Sequence, residues 1–196
     1  MTTPAPGPRE HLLALLTRLS FELRPVVLAS GVPSHFYLDC KQTALHPEGA
    51  HLLGQLMLEQ VASIEATIGE NAVGVGGMTL GADPLATAVS LASRGRPEPL
   101  AAFIVRKERK GHGTGAWIEG RRNLPDGAPI VLLEDVLTTG ASTARAVEHA
   151  IEEGLRPLGV VAIVDRFGGG VERLQAMELE VRVLFTARDF PVGTEG

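Results

Sequence analysis

Ile130-Val131-Leu132-Leu133-Glu134-Asp135-Val136-Leu137-Thr138-Thr139-Gly140-Ala141-Ser142-Thr143 runs from an apolar segment through two acids into a turn of small residues. The unbroken apolar residues 130–133 predict a strand buried on both faces, and 141–153 predict a helix beginning where the small residues end. In an open α/β sheet, ligands bind at the carboxyl ends of strands. Thr138, Thr139, Gly140, Ala141 and Ser142 can present backbone N–H groups and hydroxyls at a helix N-terminus, where the partial positive charge favours phosphate. Glu134 and Asp135 need a different partner, because carboxylates repel phosphate but accept hydrogen bonds from sugar hydroxyls. The unit reads as a grip for a ribose 5-phosphate. A plain helix cap with solvated acids is the alternative for a generic strand, turn and helix, and these residues alone leave it open.

The rest of the chain repeats the alternation. Strands are expected at 72–75, 101–105 and 160–164 and helices at 83–93 and from about Val171, which together predict a mainly parallel sheet covered on both faces. Leu12, Leu15, Leu16 and Leu19 mark an amphipathic helix ending near Ser20. Pro47 suits a first helical position, and Leu52, Leu53, Leu56, Met57, Val61, Ile64 and Ile68 form one face of a long helix. Between these helices, residues 26–28 and 36–38 read as short strands around the turn 30–34, a hairpin-like hood outside the main sheet. No linker divides the 196 residues, of which 44% are apolar, so one domain with a hood from about residues 1–45 is expected.

Composition removes several classes of function. A formal net charge of -5 offers no general attraction to nucleic acid or to an anionic membrane. Residues 12–16 are too short an apolar run for a membrane span or signal core, so a cytoplasmic location is expected. Cys40, the lone cysteine, reads as packing, and the histidines at 11, 35, 46, 51 and 149 lack metal or triad spacing. The motif at 130–143 has no Walker lysine, and Gly74-x-Gly76 meets Thr79 where a dinucleotide fingerprint needs its third glycine.

A second motif, Arg106-Lys107-Glu108-Arg109-Lys110-Gly111-His112-Gly113-Thr114-Gly115, interleaves cations with glycines directly after an expected strand. A solvated charged face is the ordinary reading of such a run. The glycines favour a loop able to close over a polyanion such as pyrophosphate. Trp117 at its end is expected to pack rather than stack on a ligand, and Gly168-Gly169-Gly170 is expected to be a simple turn. Whether Asp39 and Lys41 pair or face solvent is left open.

Two acids, two apolar residues and Thr-Thr-Gly resemble the phosphoribosyl pyrophosphate (PRPP) motif of type I phosphoribosyltransferases. With Ser30-Gly31 through Tyr37-Leu38-Asp39, Gly76-Gly77-Met78-Thr79-Leu80-Gly81-Ala82-Asp83-Pro84 and the loop from Arg106 to Gly113, the chain resembles the orotate phosphoribosyltransferase family from about Ser30 to Arg166. The resemblance implies an α/β type I phosphoribosyltransferase fold, with a mainly parallel central sheet between helices and an N-terminal hood. It implies that PRPP is bound by Arg106, Lys107, Lys110 and His112 and by Glu134, Asp135, Val136, Leu137, Thr138, Thr139, Gly140, Ala141 and Ser142. Orotate would meet Thr138 and Arg166, the arginine holding its carboxylate with a fork of donors. Lys110, His112 and Asp135 would be the catalytic residues. A homodimer is implied, the basic loop reaching the neighbouring site, as is Mg2+ on the substrate's oxygens, since no protein cage for it is evident. Well-known members carry a lysine before the Ser-Gly of the hood; here the residue is Ala29. The phosphate grip alone does not name the base, so a purine-specific enzyme or a non-catalytic PRPP sensor stays open, with Lys110-x-His112 and Arg166 favouring orotate.

Overall fold

The computed structural model describes residues 6–27, 33–109 and 116–191. The expected Ser30-Gly31 turn, Ala29, and the loop positions Lys110, His112 and Gly113 lie outside the described residues. Helix α1 (Pro8–Leu19) is followed by the antiparallel strands β1 (Phe21–Val27) and β2 (Pro33–Leu38), which form a two-stranded sheet of their own. Both strands are longer than 26–28 and 36–38, and Pro33 and Ser34 belong to β2 rather than to a turn. A short helix α2 (Lys41–Ala44), absent from the sequence reading, precedes the long α3 (Pro47–Ile68). Pro47 opens α3, and Gly69 ends it at φ 78°, a left-handed conformation that glycine adopts without a Cβ penalty.

The main sheet contains β3 (Gly74–Met78), β4 (Ala101–Val105), β5 (Ile118–Glu119), β6 (Pro129–Leu137), β7 (Arg156–Asp165) and β8 (Glu180–Thr186). Their order is β5-β4-β3-β6-β7-β8, and every pairing is parallel except the edge pair β4/β5. Helices α4 (Ala82–Ala92), α5 (Ala141–Glu152) and α6 (Gly170–Gln175) complete the fold. Three boundaries and one additional strand correct the sequence reading. Strand β3 occupies Gly74–Met78 rather than 72–75, because Gly76 and Gly77 are fully paired with Phe103 and Ile104. Strand β6 runs on to Leu137, so Glu134 and Asp135 lie inside it and not beyond its end. Strand β7 begins at Arg156 instead of 160, and β8 adds an edge strand that was not expected.

Residues of β6 divide between two cores with the period of two expected of a strand. Val131 and Leu133 face the cluster built by α1, α3 and α4, while Ile130 and Leu132 face that of α5 and α6. Each fully buried leucine or isoleucine here contributes about 2 kcal/mol of transfer free energy. Cys40 lies in the first core as a buried free thiol, as expected of a packing residue. Among the described residues no helix is long and apolar enough to cross a membrane.

Because β3, β4, β6 and β7 are parallel, the connections that follow them all emerge at one end of the sheet. The chain leaves β3 towards β4 on one side and β6 towards β7 on the other, so a topological switch point falls between β3 and β6. Close approach there depends on Gly77, where an added Cβ would lie 2.2 Å from the Leu133 carbonyl oxygen and 2.8 Å from the Ala82 Cβ. Gly77→Ala is expected to destabilise the chain by about 3 kcal/mol, read as a lower urea midpoint with an unchanged slope.

Candidate active site

Adjacent acids of β6 are sent to opposite faces by the pleat. Glu134, on the α5 side, is 8% exposed; its Oε2 accepts the Thr143 hydroxyl at 2.7 Å, and its Oε1 accepts the Asp135 N–H at 3.3 Å. Asp135 faces the α4 side, where an added Cβ on Gly81 would come within 2.7 Å of its Oδ1. That same oxygen accepts the Val136 N–H at 2.8 Å. Burial, followed by the neighbouring charge of Asp135, pushes the Glu134 carboxyl up to about 8.

Gly140 caps α5 at φ 68° with no side-chain hydrogen bond, leaving the first turn of the helix to present its amides. Glu134, Val136, Leu137, Thr138, Thr139, Gly140, Ala141, Ser142, Thr143 and Arg145 line a cavity of about 340 Å³ around this turn. The Gly168-Gly169-Gly170 run is more than a turn before α6. Cβ atoms on Gly168 or Gly170 would each lie 2.7 Å from the Thr138 carbonyl oxygen, so these glycines let the two loops pack backbone to backbone. Only their clustering signalled this in the sequence.

Arg166 leaves β7 beside that turn, its N–H bonded to the Leu137 carbonyl at 2.9 Å. Its guanidinium lies 4.1 Å from the centre of the Phe36 ring and donates to the Phe36 carbonyl at 3.2 Å. Burial lowers its pKa. The hood strand β2 therefore reaches the carboxyl end of the sheet through Phe36, a contact that separation in sequence concealed. The next residue, Phe167, adopts φ 56° and is held by its N–H to Asp165 Oδ1 at 3.0 Å.

Arg106 and Lys107 stand across the switch point, sharing a cavity of about 450 Å³ with Thr79, Asp83, Ile104, Glu108 and Glu119. Arg106 pairs with Glu119 at 2.9 Å, and Thr79 donates to Asp83 at 2.9 Å. Both stems of the basic loop are fastened to α5. Arg109 pairs with Glu152 at 3.1 Å, while Trp117 donates its ring N–H to the same carboxylate at 2.7 Å and stacks on His149 at 3.5 Å. Trp117 is thus a packing residue, as expected. The structure brings together Glu134, Asp135, residues 136–142, Arg166 and the hood, while Arg106 and Lys107 follow β4 at the same end of the sheet and line a separate cavity; Lys110 and His112 lie outside the described residues. A larger cavity of about 1030 Å³, bounded by Pro8, His51, Leu58, Ala88, Leu91 and Arg96 among others, contains none of these groups.

The raised Glu134 pKa has a direction in stability. A glutamate with an ordinary value of 4.5 loses its proton on unfolding at pH values where the folded chain keeps it, so this contribution is full below about pH 4.5 and is lost as pH rises towards 8. Relative to Glu134→Gln, the native chain is expected to lose stability between about pH 5 and about pH 8 in urea titrations. Parallel pH curves for the two proteins would refute the assignment.

No protein-family model matches the chain. It is 46% identical over 190 residues to an orotate phosphoribosyltransferase of Sorangium cellulosum, covering 97% of this chain and 96% of that protein. Among solved structures, orotate phosphoribosyltransferase of Mycobacterium tuberculosis H37Rv in complex with Fe(III) dicitrate superposes with a TM-score of 0.78 at 36% identity, covering 93% of this chain and 98% of that one. The same enzyme in complex with PRPP gives a TM-score of 0.74 at 34% identity, with the same 93% and 98% coverage. An identity this high across nearly the whole length, together with the mainly parallel sheet between helices, shows that the chain belongs to the orotate phosphoribosyltransferase family.

Proposed function

We propose that the chain, as one domain with its hood, transfers the 5-phosphoribosyl group of PRPP to orotate, giving orotidine 5'-monophosphate and pyrophosphate in pyrimidine biosynthesis. The convergence of the Thr138–Ser142 turn, the two acids and Arg166 at the carboxyl end of β6 and β7 is the observation that carries this reading. The 5-phosphate would sit on the amides opening α5, and the ribose hydroxyls would donate to Asp135, the more accessible acid. Glu134 supports the turn through Thr143. Arg166 would hold the orotate carboxylate, and Thr138 would contact orotate as well.

The reaction forms a bond from an orotate ring nitrogen to the anomeric carbon. It breaks the bond to pyrophosphate, which leaves with the electron pair as positive charge builds on the ribose ring. Arg106, Lys107, Lys110 and His112 would stabilise the leaving anion, and closure of their loop would exclude water. Magnesium would be carried on the oxygens of PRPP, where its charge would help neutralise the leaving pyrophosphate. We place the enzyme in the cytoplasm as a homodimer whose loops cross between sites.

Orotate should be consumed with release of pyrophosphate only when PRPP and magnesium are both present, and adenine, guanine, hypoxanthine and uracil should not replace it. Pyrophosphate release with a different base alone would overturn the substrate. Lys110→Ala is expected to lower kcat by about 100-fold with the fold intact, the effect of one lost transition-state donor. Arg166→Met should raise KM for orotate at least about tenfold and leave KM for PRPP near its native value. If loops serve the neighbouring site, refolding a mixture of Lys110→Ala and Asp135→Asn chains should recover about a quarter of native activity, because half of the random dimers carry one intact site. Recovery of none would place each loop over its own site.

A further inference from the structure

Lys41 opens α2 at the foot of the hood, and its ammonium lies 2.6 Å from Asp39 Oδ1 and 3.9 Å from Asp135 Oδ2. Asp39 is itself held: it accepts Gln42 Nε2 at 3.2 Å and the Lys41 N–H at 3.3 Å, and its own N–H donates to the Ser20 carbonyl at 2.9 Å. An exposed ion pair of this kind contributes little to stability. This one is not fully exposed, since the Asp39 and Asp135 side chains are each only 16% accessible. Asp135 also stands beside the buried Glu134, a second carboxyl in the same short segment of β6. Glu134 has Thr143 as its donor. On the opposite face of the strand, Lys41 directs its ammonium at Asp135.

We propose that Lys41 is a positioning residue for phosphoribosyl transfer: fixed by Asp39, it holds the Asp135 carboxylate in the orientation that accepts the ribose hydroxyls. This rests on the reading of Asp135 as the ribose acceptor. The arrangement ties the hood to the ribose site by charge, just as Arg166 and Phe36 tie it to the base side. A lysine has the reach to follow Asp135 when a sugar arrives, and its hydrogen bond to Asp39 raises its pKa against the opposing effect of burial.

Steady-state kinetics of Lys41→Met, Lys41→Arg, Asp135→Asn and the Lys41→Met/Asp135→Asn pair test it, with PRPP and orotate varied separately. Lys41→Met should raise KM for PRPP about tenfold with KM for orotate within about twofold of native, and Lys41→Arg should recover most of the loss. In the Asp135→Asn background, Lys41→Met should add less than about twofold, because the residue it steers is already gone. An unchanged KM for PRPP in Lys41→Met, equal losses in the Met and Arg variants, or losses that multiply in the pair would overturn the proposal. If Asp135→Asn alone left KM for PRPP unchanged, the ribose assignment of Asp135 would fail, and that result is separable because it does not depend on any Lys41 variant.

Discussion

Strand β6 is hydrogen-bonded on both edges to parallel neighbours, β3 on one side and β7 on the other, and almost every other feature follows from that position. A strand so enclosed has no edge left for water, so its side chains must be satisfied by the helices above and below. Apolar residues meet this condition as far as Leu133. The two acids that follow are tolerated because the strand is ending, and because each face supplies a polar partner: Thr143 of α5 for Glu134, Lys41 for Asp135. Parallel pairing then delivers the small-residue turn at 138–142, the arginine after β7 and the cations after β4 to the same end of the sheet.

Glycines at that end act by removing side chains where backbones must meet. Gly77 lets β3 lie against β6, Gly81 makes room for the Asp135 carboxylate, and Gly168 and Gly170 admit the Thr138 carbonyl. At none of these four is left-handed backbone required; the demand is for space. Gly140 differs, since its φ of 68° turns the chain from β6 into α5.

The hood adds contacts of another kind. The Phe21 and Phe36 rings pack at a tilt with centroids 5.6 Å apart, and Phe21 also stacks on Phe190 near the far end of the chain, which fixes β1 and β2 on the body of the molecule. On that platform the hood presents Phe36 to Arg166 and, one short helix later, Lys41 to Asp135. A comparable arrangement fastens the basic loop, whose stems meet at Glu152 through Arg109 and Trp117. Both attachments use cation-π and charge-assisted bonds at partly exposed positions, which hold geometry without locking a segment as tightly as core packing would.

The order of apolar runs, the small-residue turn at 138–142 and the glycine-interleaved cations were legible from residue types alone, because strand burial, helix-end phosphate binding and loop freedom each depend on local chemistry. That was enough for the fold class and the family. Strand ends were not legible: whether Gly76, Gly77, Glu134 and Asp135 continue a strand is set by the neighbour that pairs with them. Nor could spacing show that Asp39, Lys41 and Phe36 belong beside residues about 95 to 130 positions later, or divide the labour between two adjacent acids. Those depend on distances through space, which the pleat of β6 and the docking of the hood establish only once the sheet has formed.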